Sequence, residues 1–410
     1  MRICSPREIA GEITAPPSKA MTCRALAAAL LADGQSELRN CSMSDDGLAA
    51  IRVVRGLGAT VRPVKGALIV RGGDIPRARV LDCGESGLCM RMFACIASIS
   101  GRAMTLTARG SLRSRPVRMV EALRKFGVSC RTRAGCPPVR VKGPLLGDEA
   151  KIDGAVTSQF LSGLLMALPL CENDSLVVVE NLQSRPYVQM TIDTLRRHGI
   201  AVEHEGFRRF TIPGRQRYAP RAYDVEGDWS GAAFMLVAGA VGGRIKVNGL
   251  DPSSAQSDRV ILDVLKAVGA KVSVRARSVE VESAGLRPFH CDVTDCPDLV
   301  PPLAALASAC DGSSVITGCG RLVYKESDRL SALVLEFGKL GIKARRSKDQ
   351  LEIRGGTVAG ESVDSHSDHR IAMACATAGL RSAKGVKIRD WQCVSKSYPG
   401  FFSDLASVCV

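Results

Sequence analysis

Aromatic residues, long apolar runs and long basic runs are all scarce in this chain of 410 residues. Aromatics make up 4% of it, with two Trp and five Tyr, and no run of five or more basic residues occurs. Base-stacking platforms are therefore in short supply, and nucleic-acid binding is not favoured. No apolar run approaches the roughly 18 residues that span a bilayer, and the start, residues 1–6, lacks the apolar core of a signal peptide. We expect a cytoplasmic protein, and these absences count against a membrane or nucleic-acid partner.

Metal and nucleotide motifs are absent as well. None of the 16 cysteines stand at C-x-x-C spacing, so reduced thiols packed as small core residues are expected. Neither GxxxxGK[ST] nor GxGxxG occurs, and nucleotide binding through those loops is not supported. His366 and His369 flank Asp368, but no third strong ligand stands nearby at a recognised spacing. The sequence predicts neither a metal nor a cofactor.

Positive charge, in contrast, is in excess. The chain has 56 Lys+Arg against 41 Asp+Glu, a formal net charge of +15. Such a balance suits nucleic acid, a membrane surface or small polyanions. With 46% hydrophobic and 24% charged residues, the composition is that of a globular protein, and the length favours two or three domains. The positions of the basic residues must decide among the three partners.

A glycine recurs at near-equal intervals of 69, 72, 70 and 72 residues. Each follows a helical pattern, as in residues 120–126, and precedes a short alternating strand, so each is predicted to end a helix in the left-handed conformation. The regular spacing predicts six βα-containing repeats, three in each of two lobes, with a crossing near the turn-rich segment 216–223. A cleft between lobes is the expected ligand site. The recurring glycines are Gly58, Gly127, Gly199, Gly269 and Gly341.

Two segments in the first quarter of the chain could bind anions. An Ala/Leu-rich helix that runs to about Leu31 begins with Ser18, Lys19 and Arg24. Its start would combine unpaired backbone amides with the ammonium group of Lys19 and the planar guanidinium of Arg24. The alternative is a capped and solvated helix end. The second segment, residues 82–91, has glycines that permit close backbone approach to a ligand, and it could equally be an ordinary tight turn.

Hydroxyl, amide and basic groups follow in the middle of the chain. Thr157, Ser158 and Gln159 suit phosphate oxygens and could also cap the next helix. Arg115-Pro116 and Ser184-Arg185-Pro186 place basic residues beside turn formers.

The densest charge cluster lies at residues 321–330. Lys325 and Arg329 could hold anions while Glu326 donates or accepts a proton, or the cluster could be a salt-bridged helix start. Asp298 precedes an apolar helix, where it could be a second acid or a plain N-cap. Arg370 begins another polar helix start suited to an anion.

Taken in order, these segments resemble the enolpyruvyl transferase family over nearly the whole chain. The resemblance implies an α/β (α+β) fold: a two-lobed inside-out α/β barrel of six βαβαββ repeats, three per lobe. One lobe would comprise residues 1–13 and 224–410, the other residues 14–223, with the active site in the cleft between them. The motifs that carry it are Pro16 to Arg24, Ser44-Asp45-Asp46, residues 84–91, Arg115-Pro116, Thr157 to Phe160, Ser184 to Tyr187, residues 225–228, Lys325 to Arg329, Asp368-His369-Arg370 and Lys396.

The resemblance also implies a reaction. The carboxyvinyl group of phosphoenolpyruvate would pass to the 5-hydroxyl of shikimate 3-phosphate, on the route to chorismate, with release of phosphate. We expect a monomer, because the fold closes on itself and no obvious association helix is present. Asp298 would accept the hydroxyl proton, Glu326 would protonate the methylene carbon, and Lys19 would complete the catalytic set. Shikimate 3-phosphate would contact Lys19, Ala20, Arg24, Thr157, Ser158, Gln159, Ser184, Asp298, Arg321 and Lys325. Phosphoenolpyruvate would contact Lys19, Gly87, Arg115, Gln159, Arg329, Arg370 and Lys396.

Several positions depart from the family pattern. Ala20 replaces a common Ser, Arg321 stands where an Asn can contact the shikimate phosphate, and Glu85, Leu88 and Met92 differ in the phosphoenolpyruvate loop. A UDP-N-acetylglucosamine enolpyruvyl transferase is the nearest alternative, although the two segments 19–24 and 325–329 favour the shikimate reaction. An RNA-binding or RNA-end-modifying protein is the alternative from another class.

Overall fold

The computed structural model of the protein describes residues 2–4, 8–72, 76–155 and 157–410. The predicted features of residues 1 and 5–6, at the start of the chain, lie outside these ranges. The chain divides into two compact units: a terminal unit, Met1–Pro16 with Glu226–Val410, and a central unit, Pro17–Val225. The boundaries lie two or three residues from those expected. At the second boundary, strand residues 222–224 pair with residues 37–39 and so belong to the central unit.

The terminal unit begins with β1 (Arg2–Cys4) and β2 (Ile9–Thr14). The central unit follows, with α1 (Lys19–Leu31), β3 (Gln35–Arg39), α2 (Asp45–Gly56), β4 (Thr60–Val64), β5 (Ala67–Arg71), β6 (Val80–Asp82), α3 (Gly87–Ala97), β7 (Ala103–Thr107), 3₁₀ helices at Gly110–Ser114 and Arg118–Phe126, β8 (Ser129–Arg133), β9 (Cys136–Lys142), β10 (Glu149–Asp153), α4 (Gln159–Ala167), a 3₁₀ turn at Leu168–Leu170, β11 (Ser175–Glu180), α5 (Arg185–Arg197), β12 (Glu203–Glu205), β13 (Arg209–Ile212) and β14 (Ala222–Asp224).

The chain then returns to the terminal unit. Its remaining elements are α6 (Trp229–Gly242), β15 (Gly243–Asn248), a 3₁₀ turn at Ser257–Val260, α7 (Ile261–Ala267), β16 (Lys271–Arg275), β17 (Ser278–Glu282), β18 (His290–Asp292), a 3₁₀ turn at Pro297–Leu299, α8 (Val300–Ala307), β19 (Ser313–Thr317), a 3₁₀ helix at Gly320–Tyr324, α9 (Arg329–Lys339), β20 (Lys343–Arg346), β21 (Gln350–Arg354), β22 (Ser362–Asp364), α10 (His369–Gly379), β23 (Val386–Arg389), a 3₁₀ helix at Trp391–Lys396 and α11 (Phe401–Ser407).

Five four-stranded sheets share one topology. Each has a parallel pair joined to an antiparallel hairpin, as in β6-β7-β9-β8. In three of the sheets one α-helix connects the parallel strands, as α3 does between β6 and β7, whereas the parallel pairs β3/β14 and β2/β15 join distant parts of the chain. The others have the orders β14-β3-β5-β4, β10-β11-β13-β12, β16-β17-β15-β2 and β18-β19-β21-β20, and a three-stranded sheet has the order β1-β23-β22. Three sheets belong to each compact unit, so the predicted α/β fold of six repeats is confirmed.

Helices fill the interior of each unit and the sheets lie outside them, which is the inside-out arrangement that the resemblance implied. In the terminal unit, α6, α8 and α10 pack against one another, and every residue of α8 and α10 is buried. In the central unit, α3 packs against both α1 and α4. Helices that are apolar all round can be accommodated only in such a core. Within the part of the chain that the structure describes, no helix has both the length and the apolar character needed to cross a membrane.

The repeated glycines have the predicted conformation, although one helix differs in type. All five have positive φ, and Gly127 caps its helix at φ 78°. The helix before it, Arg118–Phe126, is 3₁₀ rather than α. Val117, Val120, Leu123 and Phe126 are fully buried, and their spacing of three residues matches a helix with three residues per turn.

One edge strand of each four-stranded sheet is polar. Strands β4, β8, β12, β16 and β20 each lie at an end of their sheet. Four of the five carry exposed basic side chains, and β12 carries two glutamates. The basic residues are Arg62, Arg131, Arg133, Lys271, Arg275, Lys343, Arg345 and Arg346.

Candidate active site

Most of the predicted site residues lie at the N-terminal ends of buried helices. Lys19 begins α1, Gly87 begins α3 and Gln159 begins α4 in the central unit. In the terminal unit, Asp298 precedes α8, and Arg370 lies in the first turn of α10. Helix starts present unpaired amides and the positive end of the helix dipole, so this arrangement favours bound anions.

Arg329, the first residue of α9, holds three carboxylates in the terminal unit. Its Nη1 lies 2.8 Å from Oδ1 of Asp298, and its Nη2 lies 2.6 Å from Oε2 of Glu326. Its Nε donates to Asp368 at 2.8 Å. The side chain is 1% exposed. Burial alone would lower the pKa of Arg329, but the three carboxylates raise it above its ordinary value, so this guanidinium is a permanent cation.

Asp298 lies among three cations. Besides Arg329, its carboxylate accepts from Lys325 Nζ at 3.2 Å and from Arg370 Nη2 at 3.1 Å. Arg370 Nη1 also donates to the Asp298 backbone carbonyl at 3.2 Å. The Asp298 side chain is 22% exposed, which leaves a face that a substrate hydroxyl could reach. Asp298 is therefore an ion-paired acid in a short 3₁₀ turn rather than a side-chain cap of α8.

Glu326 lies between two cations. Arg329 contacts one of its oxygens, and Lys396 Nζ lies 3.8 Å from the other. Both Glu326 and Lys396 are at least nine-tenths buried. Glu326 is thus held in a fixed, dry position, and once it is protonated it can deliver its proton to one point with little freedom to move.

Lys325 and Arg321 interact electrostatically. Burial lowers the pKa of Lys325 from 10.5 to about 8; Arg329 and Arg321 act in the same direction, and Asp298 opposes them. Arg321 also donates its Nη2 to the Thr294 carbonyl at 2.5 Å. Arg321 thus adds positive potential beside Lys325 while part of its guanidinium is bound to the protein.

In the central unit, Lys19 pairs with Asp46. The Nζ to Oδ2 distance is 3.0 Å, and Asp46 lies in the first turn of α2, which Ser44 caps. Asp46 belongs to the Ser44-Asp45-Asp46 motif, to which the sequence alone assigned no role.

Arg24 is bound by the protein at most of its donors. Its Nε donates to Thr191, its Nη1 to the Ala20 carbonyl, and its Nη2 to Ser162 and the Tyr187 carbonyl. All of these partners are neutral. Burial lowers the pKa of Arg24 to about 10. The planar fork expected for an anion is therefore largely used in joining α1 to α4 and α5. Thr191 and Ser162 carried no signal in the sequence because buried helical hydroxyls are common.

Gly87 allows two arginines to approach the start of α3. A Cβ atom there would lie 2.7 Å from Arg91 Nη1 and 3.2 Å from Arg115 Nη2. Arg91 Nη1 donates to Oε1 of Gln159 at 2.7 Å, and its Nη2 donates to the Pro116 carbonyl at 2.7 Å. Arg91 thereby fixes the Gln159 amide with its NH₂ group available. The sequence placed Arg91 in the loop without assigning it this role.

The hydroxyl residues of the predicted site lie next to the starts of α4 and α5. Thr157 Oγ1 accepts a hydrogen bond from the backbone N–H of Gln159 at 3.2 Å. Ser158 occupies the N-cap position of α4 without a side-chain capping bond. Ser184 precedes α5 in a left-handed conformation, φ 57°. Glu85 accepts from the backbone and side chain of Ser111. This departure from the family pattern is thus bound to the 3₁₀ helix at Gly110–Ser114.

Comparison with known proteins gives a consistent result. The family model of EPSP synthase (3-phosphoshikimate 1-carboxyvinyltransferase) matches residues 3–405. The 3-phosphoshikimate 1-carboxyvinyltransferase of Aeropyrum pernix is 42% identical over 98% of this chain and 94% of its own, and that of Methanopyrus kandleri is 41% identical over 98% and 96%. The solved EPSP synthase of Acinetobacter baumannii superposes with a TM-score of 0.83 at 25% identity, covering 99% of this chain and 97% of its own.

These matches discriminate between the alternatives that the sequence left open. The family model and both relatives bear the 3-phosphoshikimate name, so the UDP-N-acetylglucosamine and RNA alternatives are not favoured. The motif resemblance is confirmed over nearly the full length. This chain belongs to the EPSP synthase (3-phosphoshikimate 1-carboxyvinyltransferase) family of enolpyruvyl transferases.

Proposed function

We propose that the chain transfers the carboxyvinyl group of phosphoenolpyruvate to the 5-hydroxyl of shikimate 3-phosphate and releases phosphate. The observation that carries the residue assignment is the fork of Arg329, which holds Asp298 on one Nη and Glu326 on the other. Two acids fixed on one guanidinium suit a reaction in which one proton leaves an oxygen while another reaches a carbon.

The basic residues match the charge of the substrates. Each substrate carries a carboxylate and a phosphate, so the pair brings about five to six negative charges, which only clustered cations can hold within reacting distance. Lys325, Arg329, Arg370 and Lys396 supply cations in the terminal unit. Lys19 and Arg115 supply them in the central unit, with the donors of Thr157, Ser158, Gln159 and Ser184. Arg24 joins α1 to the first turns of α4 and α5 and so helps to position these helix starts, and one hydrogen on its Nη1 remains for a ligand.

Substrate binding should strengthen Asp298 as a base. In the structure its carboxylate is paired with Lys325, Arg329 and Arg370, and cations so placed make a carboxylate a weak proton acceptor. The phosphate and carboxylate groups of the substrates compete for the same cations. The acid therefore becomes more basic when both anions are bound, which is when the reaction needs a proton acceptor.

The steps balance as an addition followed by an elimination. The 5-hydroxyl oxygen bonds to C2 of phosphoenolpyruvate, Asp298 takes the hydroxyl proton, and Glu326 gives a proton to the methylene carbon, which becomes a methyl group. The tetrahedral intermediate then loses phosphate as the bond between C2 and the phosphate oxygen breaks. One methyl proton returns to Glu326, the double bond re-forms, and the proton on Asp298 leaves with phosphate or to water.

We also infer a cytoplasmic monomer with small-molecule substrates alone. The 15 cysteines from Cys23 to Cys409 are free thiols, as a reducing compartment requires. The exposed large apolar side chains of the described residues are spread over both units, as on a monomer surface. Light scattering that gives twice the chain mass at working concentration would contradict the monomer.

Phosphate release from phosphoenolpyruvate tests the reaction directly. It should require shikimate 3-phosphate, should not occur with the UDP-sugar, and should be unaffected by added RNA. Turnover with the UDP-sugar alone would replace this proposal with the other enolpyruvyl transfer.

A further inference from the structure

Glu336 is a fully buried acid that the proposed chemistry does not use. It lies seven residues after Arg329 on α9, two turns along the same helix face. Its side chain is 0% exposed, whereas its helical partner Lys339 is 38% exposed. Lys339 Nζ lies 2.8 Å from both carboxylate oxygens. A lysine at the surface does not explain why the carboxylate of Glu336 points inward. The explanation must lie in the other contacts of Glu336.

Those contacts are with the turn that leads from β22 into α10. The Asp364 amide donates to Glu336 Oε2 at 2.9 Å, and His366 Nε2 lies 2.7 Å from Oε1. His366 and Ser367 both have left-handed backbones, at φ 53° and 54°. Two consecutive non-glycine residues rarely adopt this conformation unless their surroundings enforce it. Glu336 contacts this turn from the helix side.

The next residue of the turn organises the proposed phosphoenolpyruvate arginines. Asp368 is fully buried, accepts Arg329 Nε at 2.8 Å and Ser327 Oγ at 3.1 Å, and caps α10 through the Arg370 amide at 3.0 Å. Helix α9 thus holds the turn at two points, through Arg329 to Asp368 and through Glu336 to His366. A shift at the second point moves Asp368 and, with it, both arginines.

We propose that Glu336 is a positioning residue for phosphoenolpyruvate binding, which it supports by fixing the 364–368 turn through His366 and the Asp364 amide. The proposal rests on the assignment of Arg329 and Arg370 to that substrate. Glu336 is not assigned a contact with a substrate or a reacting atom, and its effect passes through Asp368.

Steady-state kinetics of four variants test it. Glu336→Leu leaves the Asp364 amide and His366 without their acceptor and should raise the KM for phosphoenolpyruvate about tenfold or more. The kcat should fall by a smaller factor, because Arg329 also holds Asp298 and Glu326, while the KM for shikimate 3-phosphate changes less than about threefold. Glu336→Gln keeps one acceptor oxygen and should recover part of the loss. Lys339→Met is the matched control and should leave both KM values at the wild-type level. Arg370→Met should raise the same KM as Glu336→Leu.

Two variants of His366 test the same proposal if a Glu336 variant does not fold. His366→Ala should raise the KM for phosphoenolpyruvate, and His366→Gln, whose Nε2 can reach Glu336, should restore it. Folded Glu336 and His366 variants with a wild-type KM would overturn the proposal, as would an equal effect of Lys339→Met. A wild-type protein without turnover would instead overturn the proposed reaction, and a silent Arg370→Met would overturn the substrate assignment.

Discussion

The Nζ of Lys325 lies 3.2 Å from Oδ1 of Asp298. The proposed proton acceptor is thus paired with a lysine that loses its charge easily, because burial lowers the pKa of Lys325 to about 8. Above that pH the folded protein releases a proton that the unfolded chain keeps until about pH 10.5. The buried charge therefore costs stability below about pH 8, and this cost is relieved as the pH rises from 8 to 10.5.

Substrate affinity should show the opposite trend. A neutral Lys325 attracts anions less, so the KM for shikimate 3-phosphate should rise above about pH 8, approaching tenfold per pH unit. Lys325→Arg keeps its charge throughout this range and should flatten the rise. Initial rates from pH 6.5 to 9.5 measure both profiles. Identical profiles for the two proteins would remove Lys325 from the substrate site.

The two acids should be separable from binding. Asp298→Asn and Glu326→Gln remove proton transfer while they keep the shape of the side chains, so kcat should fall about 10²- to 10⁴-fold. The dissociation constant of shikimate 3-phosphate, measured by calorimetry, should change only severalfold. Glu361→Gln changes an exposed acid of the same unit and should have no effect. Near-normal turnover in either active-site variant would exclude that acid from the mechanism.

Two helical glycines should respond to alanine in different ways. A Cβ at Gly87 would meet the flexible ends of Arg91 and Arg115, whereas a Cβ at Gly338 has no neighbour within 4 Å. Gly87→Ala should therefore leave the fold intact and raise the KM for phosphoenolpyruvate severalfold. Gly338→Ala should leave kinetics unchanged and raise the free energy of unfolding by about 0.5–1 kcal/mol. Urea denaturation with parallel assays measures both. Equal kinetics in the two variants would contradict a role for Gly87 in placing the arginines.

Local signals in the sequence predicted much of the fold. The start of α1 after Ser18 was predicted because a capping hydroxyl acts on amides three residues away. The repeated glycines could be found because a helix end with positive φ selects glycine. The 3₁₀ form of Arg118–Phe126 was missed, although the three-residue spacing from Val117 to Phe126 was a usable signal.

Long-range partners could not be predicted in the same way. Arg24 was expected to present its fork to an anion, but Thr191, 167 residues away, and Tyr187 are among its partners. Glu336 drew no prediction from the sequence, and only the packing of α9 on the 364–368 turn makes it an internal acid. Such contacts depend on which elements the fold brings together, and no local pattern encodes them.

The polar edge strands bear on how the chain avoids aggregation while it folds. Before the repeats have packed together, β4, β8, β16 and β20 offer open backbone groups on which a second chain could form cross-β structure. Their exposed lysines and arginines give these edges like charge, so approaching copies repel each other. The eight basic residues of these strands therefore have a consequence for folding that is separate from substrate binding. High salt or a polyanion that screens this charge should lower the yield of refolding.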